Sequence, residues 1–204
     1  MDGTGLSLMG LRLQSLRGAA LAQAMDDVAR LRIAVFRDWP YLYDGDLAYE
    51  RSYLQSYLDS DQSVVVGAWD GERLIGASTG APLVDHAEDF AAAFEGTGLA
   101  LKDVFYCAES VLLQEYRGMG LGHRFFDLRE AHARELGYAV SAFCSVQRPA
   151  DHPAKPQNYR ALDDFWRKRG YEPMPGVVAG FSWLDVGEVD ETRKPLQFWS
   201  RRLT

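Results

Sequence analysis

Apolar residues recur at spacings that change along the chain, and each change marks an element. Leu11, Leu13 and Leu16 alternate with Arg12 and Gln14, which reads as a short, exposed first strand. Over residues 19–36 the period lengthens: Leu21, Met25, Val28, Ala29, Leu31, Ile33 and Val35 recur as on an amphipathic helix. Pro40 and Gly45 interrupt the pattern across residues 37–46, and a second helix is expected over Leu47–Leu58 with Tyr49, Tyr53, Leu54 and Leu58 as its stripe. Residues 63–69 and 73–79, joined through Asp70-Gly71, read as a hairpin. A short Ala-rich helix at 86–94, a strand at 104–113 and a long helix ending near Leu136 before Gly137 follow. A strand at 139–146, a loop carrying Pro149, Pro153 and Pro156, a helix at about 157–169, and strands at 177–184 and 196–202 complete the pattern. No repeat or composition shift divides it. The expectation is one α+β domain, a three-layer arrangement with a mixed sheet between helices.

Composition narrows the class. The 204 residues are 47% hydrophobic and 25% charged, the make-up of a globular chain rather than a disordered or fibrous one. At this length residues 1–204 are expected to form a single domain, with no disulfide or metal staple required. Lys and Arg number 22 against 29 Asp and Glu, a formal charge of −7. That balance argues against nucleic acid as a partner, since phosphate binding needs a basic face, and leaves room for a cationic substrate. Cys107 and Cys144 lie in apolar runs, as buried reduced thiols of a cytoplasmic protein do. No Cys/His spacing resembles a zinc site. The N-terminus lacks the pattern of a signal peptide and no apolar run is long enough to span a bilayer, so a cytoplasmic location without membrane contact is expected.

The segment with most chemical content is strand, then Arg117-Gly118-Met119-Gly120-Leu121-Gly122, then helix. Glycines at alternate positions expose backbone N–H groups on a tight turn, and the helix start adds its positive dipole end. Together they cradle a phosphate or pyrophosphate. A dinucleotide fingerprint beginning at Gly118 would need glycine where His123 stands, and a phosphate-loop NTPase would need Gly-Lys-Ser/Thr, which is absent. NAD and ATP are disfavoured on spacing.

Arg117, Gly120 and Gly122 do fit R/Q-x-x-G-x-G/A, with Tyr116 before them and an apolar strand ending at Leu113. This resembles the pyrophosphate motif of the GNAT superfamily of acetyl-CoA-dependent N-acetyltransferases. The order of elements over about residues 11–203, and the later segments Asn158-Tyr-Arg-Ala161 and Phe165-Trp-Arg-Lys-Arg-Gly-Tyr171, resemble that family too. The resemblance implies a mixed, mostly antiparallel central sheet flanked by helices and splayed at the strand before the glycine turn. It implies acetyl-CoA (CoA) as cofactor, held by Val111, Leu112 and Leu113 along the splayed edge, by the turn from Arg117 through Gly118, Met119, Gly120 and Leu121 to Gly122, and by Asn158. The N–H of Leu112 would point at the thioester carbonyl as an oxyanion donor. Arg117 would serve as a phosphate cation or as a brace of the turn.

The resemblance also implies a tyrosine that protonates the departing thiolate, but its position falls on Phe165 or Trp166. Tyr159 or Tyr171 could take that role, or the thiolate could leave unassisted. A base must take a proton from the attacking amine. Glu109, in the strand that leads to the turn, is one candidate, and His152 in the proline-rich loop is the other. A covalent route through Cys144 or Cys107 remains open. The connection after the first helix lines the acceptor side in this superfamily, so Trp39, Tyr41, Tyr43 and Asp44 are the expected substrate wall, suited to an amine with an apolar body. The expected activity is acetyl transfer to a primary amine of a small molecule or peptide by direct attack in a ternary complex. A catalytically silent acyl-CoA sensor or scaffold is the alternative, acyl groups longer than acetyl are not excluded, and a homodimer is compatible with this reading.

Overall fold

A computed structural model describes residues 6–8 and 10–203. Its strands are β1 (Leu6–Leu8), β2 (Leu11–Leu16), β3 (Val64–Asp70), β4 (Arg73–Pro82), β5 (Val104–Tyr106), β6 (Ser110–Leu112), β7 (Val140–Val146), β8 (Glu172–Leu184) and β9 (Glu191–Arg202). Its helices are α1 (Gly18–Phe36), α2 (Leu47–Asp59), α3 (Ala87–Phe94), α4 (Leu121–Glu135) and α5 (Asp163–Lys168). The strands form one sheet in the order β1-β2-β3-β4-β5-β7-β9-β8, with β6 paired to β4 off that path. Every pairing is antiparallel except β5 with β7.

Each face of the sheet carries its own core. Leu21, Val28, Leu31 and Phe36 of α1 and Leu54 and Tyr57 of α2 pack with Val65, Ala77 and Val111 on one side. Leu121, Phe125, Phe126 and Ala133 of α4 pack with Val66, Ile75, Phe105, Phe143 and Trp199 on the other. A third cluster, under α3, joins Phe90 and Phe94 to Tyr106, Cys144 and Phe198. These are the three layers the periodicity predicts.

Several elements differ from the sequence reading. The first strand is not exposed: β1 covers its outer edge, and Leu11, Leu13 and Leu16 are buried while Arg12 points out. The predicted strand at 104–113 is two strands. From Ala81↔Tyr106 to Ser78↔Ser110 the chain advances four residues while β4 advances three, so one residue is extra and the segment 107–109 bulges. The helix expected at 157–169 contracts to α5, because the proline-rich stretch before it forms successive turns, Tyr159 N–H bonding Pro156 O at 3.0 Å. Asn158 and Tyr159 therefore sit on a loop. The closing strands begin earlier than expected and form a long hairpin. Among the described residues, no helix is long and apolar enough to cross a membrane.

Candidate active site

The bulge at 107–109 hands the chain from one neighbour to the other. Cys107 N–H still bonds Ala142 O of β7 at 2.8 Å, whereas Thr79 N–H bonds Glu109 O at 3.1 Å and Leu113 N–H bonds Ile75 O at 3.0 Å. Odd-numbered residues from 109 to 113 thus turn their backbone groups to β4, and alternation turns those of Ser110 and Leu112 the other way. On the facing arm, Gln147 N–H bonds Pro195 O at 2.9 Å, so odd residues of β7 face β9 and the backbone of Cys144 and Val146 faces back toward β6. The two arms part above Tyr106 and Cys107, leaving a V lined by strand edges that pair with nothing across it. An extended chain bearing amides fits such a cleft. The sequence named only Leu112 as donor; the register gives Ser110 N–H the same direction.

At the top of the V, a turn joins β6 to α4. Gly118 and Gly120 have φ of +80° and +82°, which L side chains rarely adopt, and a Cβ at either would project into open space. Gly120 caps α4, so the amides of Leu121 and Gly122 have no intrahelical acceptor. No acidic residue occupies the first turn of α4. The turn presents N–H groups without intrahelical acceptors, an arrangement that suits an anion. Arg117 Nε donates to Leu112 O at 3.3 Å, and Tyr116 donates to Asp70 at 2.8 Å, so both brace the turn against the sheet. Met119 is 40% exposed at its tip.

Glu109 lies at the bulge with its side chain on the α1–α2 face. Arg32 of α1 pairs with both Glu109 and Glu50 of α2, and Tyr53 donates to the other Glu109 oxygen at 2.9 Å. Tyr57 shares a 2.9 Å hydrogen bond with Tyr53, and the Arg32 guanidinium lies 4.2 Å from the Tyr53 ring centroid. Burial drives the Tyr53 hydroxyl well above its usual range, with the nearby Tyr57 hydroxyl adding to the rise, so it stays protonated. One cation and two carboxylates leave this buried cluster with a formal charge of −1. Of this cluster the sequence marks Glu109, and Tyr53 only as part of a helical stripe. Arg32 did leave a trace: it falls between Val28 and Phe36 at four-residue spacing, a charge on an otherwise apolar stripe.

The loop 37–46, the expected acceptor wall, packs against segments from the second half of the chain. Trp39 packs against His152 and Tyr159, with ring centroids 5.1 and 5.9 Å away, while Tyr41 stacks with Trp183 at 6.0 Å. The structure thus gathers Trp39, Tyr41, His152 and Tyr159 at one place from distant segments. Tyr43 bridges to Asp185 through its backbone, and the Asp44 carboxylate, expected to face an amine, instead pairs with Arg37 at 2.6 Å on the surface. Asp46 caps α2 through Tyr49 N–H at 2.9 Å. His152 accepts from Ala154 N–H on Nδ1 at 3.2 Å, which in the neutral ring leaves Nε2 carrying the proton: a donor rather than a base. Asn158 is exposed. Burial raises the Tyr159 hydroxyl, and Asp163 adds to the rise, so it carries its proton at neutral pH.

Beneath that loop is a charge cluster the sequence did not announce. Arg148 donates to Asp185 at 2.6 and 2.9 Å and to Pro40 O at 2.9 Å, and Lys194 reaches Asp185 at 3.1 Å. Burial alone would raise the Asp185 carboxyl, but the bonds from Arg148 and Lys194 outweigh it and hold it below the usual carboxylate range. A depressed folded-state pKa stabilises above the unfolded value and is lost as pH falls through the folded one. Asp185→Asn is therefore expected to lower stability at pH 7 by about 3 kcal/mol, because two buried cations lose their partner. That deficit should shrink as pH falls below about 4, where the wild-type carboxylate also takes a proton. Urea unfolding of both proteins at pH 7 and pH 3.5 measures it.

The other sequence candidates have structural engagements. Tyr171 is buried with its hydroxyl on Ser141 and Glu130, at 2.7 and 3.1 Å, and does not face the V. Phe165 and Trp166 pack against the α4-face core. Cys107 and Cys144 are unpaired and buried. Burial pushes the Cys144 thiol up to about 12 and raises that of Cys107, so neither supplies thiolate at neutral pH. The Cys107→Ala/Cys144→Ala protein is expected to keep CoA release within about threefold of wild type, and iodoacetamide should not label the native chain. A covalent acyl-cysteine would make that variant inactive.

The model of the Acetyltransferase (GNAT) family matches residues 26–171. No curated protein matches the chain. Among solved structures it is similar to an N-acetyltransferase of Staphylococcus aureus Mu50, at 9% identity and TM-score 0.60, over 95% of this chain and 99% of that one. It is similar to yncA of Salmonella typhimurium, whose structure holds its cofactor acetyl-CoA, at 12% identity and TM-score 0.56 over 96% and 95% of the two chains. An aminoglycoside 6'-N-acetyltransferase complexed with coenzyme A matches at 15% identity and TM-score 0.58, over 93% and 97%. At these identities the likeness is one of fold.

Proposed function

Because the chain belongs to the GNAT acetyltransferase family, we propose that it transfers an acetyl group from acetyl-CoA to a primary amine by direct attack. The observation that carries this reading is the junction of two devices: the V between β6 and β7, and the left-handed glycine turn that opens α4. The turn suits a pyrophosphate and the V suits an amide-bearing arm. The backbone of Leu112, with Ser110 beside it, the N–H groups from Gly118 to Gly122, Arg117 and Asn158 would hold the cofactor, whereas Val111 and Leu113, expected to share that edge, turn their backbone groups to β4. When bound it supplies an activated acyl carbon, joined to sulfur by the bond that the amine displaces.

The chain's own residues then do the rest. Ser110 and Leu112 present N–H groups where charge develops on the acyl oxygen, the kind of donor worth roughly 3–4 kcal/mol in a transition state. Glu109, reached through the Tyr53 hydroxyl that already donates to it, takes the proton the amine loses. Tyr159, protonated at neutral pH, supplies a proton to the departing sulfur. Trp39, Tyr41 and Tyr43 wall the acceptor, and the net negative Arg32–Glu50–Glu109 cluster favours a cationic amine. Two unpaired, buried thiols suit a reducing compartment, and a cytoplasmic setting is part of this reading.

The test is a thiol-release assay with acetyl-CoA over polyamines, aminoglycosides, amino acids and N-terminal peptides. Amine-dependent CoA release is expected for at least one class, and none would leave a silent binding domain. With the active amine, Tyr159→Phe should lower kcat by about 100-fold and leave the acetyl-CoA KM nearly unchanged.

A further inference from the structure

We propose that Arg129 is a positioning residue for the acyl site: it polarises the Glu109–Ser110 peptide and so makes Ser110 N–H the dominant donor to the acyl oxygen. The inference rests on the acetyl-CoA reading above. Arg129 is 1% exposed and lies on α4, on the face of the sheet opposite Arg32. Its Nη1 donates to Thr79 O at 3.0 Å and to Glu109 O at 2.9 Å, its Nη2 to Ser110 Oγ at 2.8 Å and its Nε to Phe125 O at 3.2 Å. All four bonds end on carbonyl or hydroxyl oxygens. Among the described residues, none of the ion pairs includes Arg129. A fully buried cation without a carboxylate is costly, and an apolar side chain of similar volume would fill the space more cheaply.

What that cation does is visible in the connectivity. The carbonyl of Glu109 and the N–H of Ser110 belong to one peptide unit. Glu109 O accepts from a guanidinium and from Thr79 N–H at once, while Ser110 N–H faces the V. Hydrogen bonds accepted at one end of a peptide strengthen donation from the other, most of all when the donor is charged. Leu112 N–H belongs to the Val111 peptide, whose carbonyl faces β4 in the Val111↔Ala77 pair, and among the described residues no hydrogen bond from a charged side chain reaches that carbonyl. The two donors are thus unequal, and Ser110 is the stronger.

The same geometry holds the bulge. Arg129 occupies Thr79 O, which an uninterrupted ladder would give to Glu109 N–H, and its Nη2 anchors the side chain of the next residue. Gly80 lies alongside: a Cβ there would collide with the Phe105 ring at 2.6 Å while meeting Arg129 Cδ at an ordinary 3.5 Å. Arg129 is eight residues, about 12 Å of helix, beyond the Leu121 that begins the anion cradle. One rigid helix therefore connects the cradle to the acyl donors.

The experiment is infrared or carbon-13 spectroscopy of acetyl-CoA labelled at the acyl carbonyl, bound to wild type, Arg129→Gln, Arg129→Lys and Ser110→Ala, with CoA affinity measured alongside. In wild type the carbonyl band should move to lower frequency on binding. Arg129→Gln should lose more than about half of that shift, while Arg129→Lys and Ser110→Ala lose a smaller part, with CoA Kd within about threefold throughout. A folded Arg129 variant with the full shift would overturn the proposal, as would a CoA affinity that falls in step with the shift. If neither Arg129 variant folds, an unchanged shift in Ser110→Ala overturns it. Wild type that binds no CoA would instead remove the cofactor reading, and this inference with it.

Discussion

Arg32→Met is expected to lower Tm by about 6–20 °C, because removing the cation from a buried ion cluster costs about 3–5 kcal/mol and each kcal/mol moves a domain of this size by about 2–4 °C. Arg32 is the cation paired with Glu50, which is fully buried, and it also pairs with one oxygen of Glu109 at the bulge. Its loss leaves two carboxylates in the core with no cation. Adding Glu50→Gln removes one of them and should recover part of the deficit. A surface arginine such as Arg30, exposed and paired only within its own helix, should cost less than about 1 kcal/mol by the same replacement. Thermal unfolding of the three proteins decides it. A Tm for Arg32→Met within a degree or two of wild type would mean that the cluster is not a structural centre.

Gly120→Val should weaken CoA binding by about 100-fold or more while shifting Tm little. The residue has φ +82°, where an L side chain costs about 1–2 kcal/mol and a β-branched one more. The chain can relieve that strain by rotating the turn, which swings the Met119–Gly122 amides off their common direction, and each charge-assisted bond lost to a phosphate is worth about 1.5–3 kcal/mol. The space into which the new side chain points is open, so it meets no protein atom and would intrude on a ligand instead. Calorimetric titration with CoA measures the loss. Pantetheine, which lacks the pyrophosphate, should bind both proteins alike.

Much of this could be read from the sequence. The glycine turn is local, so spacing alone places it before a helix, and the periodicities of α1, α2, α4 and the β3–β4 hairpin give the layers. What the sequence conceals is pairing between distant positions. Arg32 meets Glu50 and Glu109 from 18 and 77 residues away, and Arg148 meets Asp185 across 37. No local pattern selects those partners. A charge on an apolar stripe did mark Arg32, and it marks Arg129 between Phe125 and Ala133 on α4 in the same way. The bulge was invisible because an apolar run from 104 to 113 reads as one strand, while the extra residue is defined only against the register of β4. The contraction of α5 has a similar origin, since turn hydrogen bonds through Pro156 outcompete a helical pattern that looked continuous.

Mass analysis of the amine panel after incubation with acetyl-CoA tests acetyl transfer at the mouth of the V. An N-acetylated amine is expected to form in step with free CoA, faster for a cationic amine than for a neutral one, and far more slowly with Gly120→Val at acetyl-CoA concentrations that saturate only the wild type. CoA bound tightly by wild type with no acetylated product from any amine would contradict it.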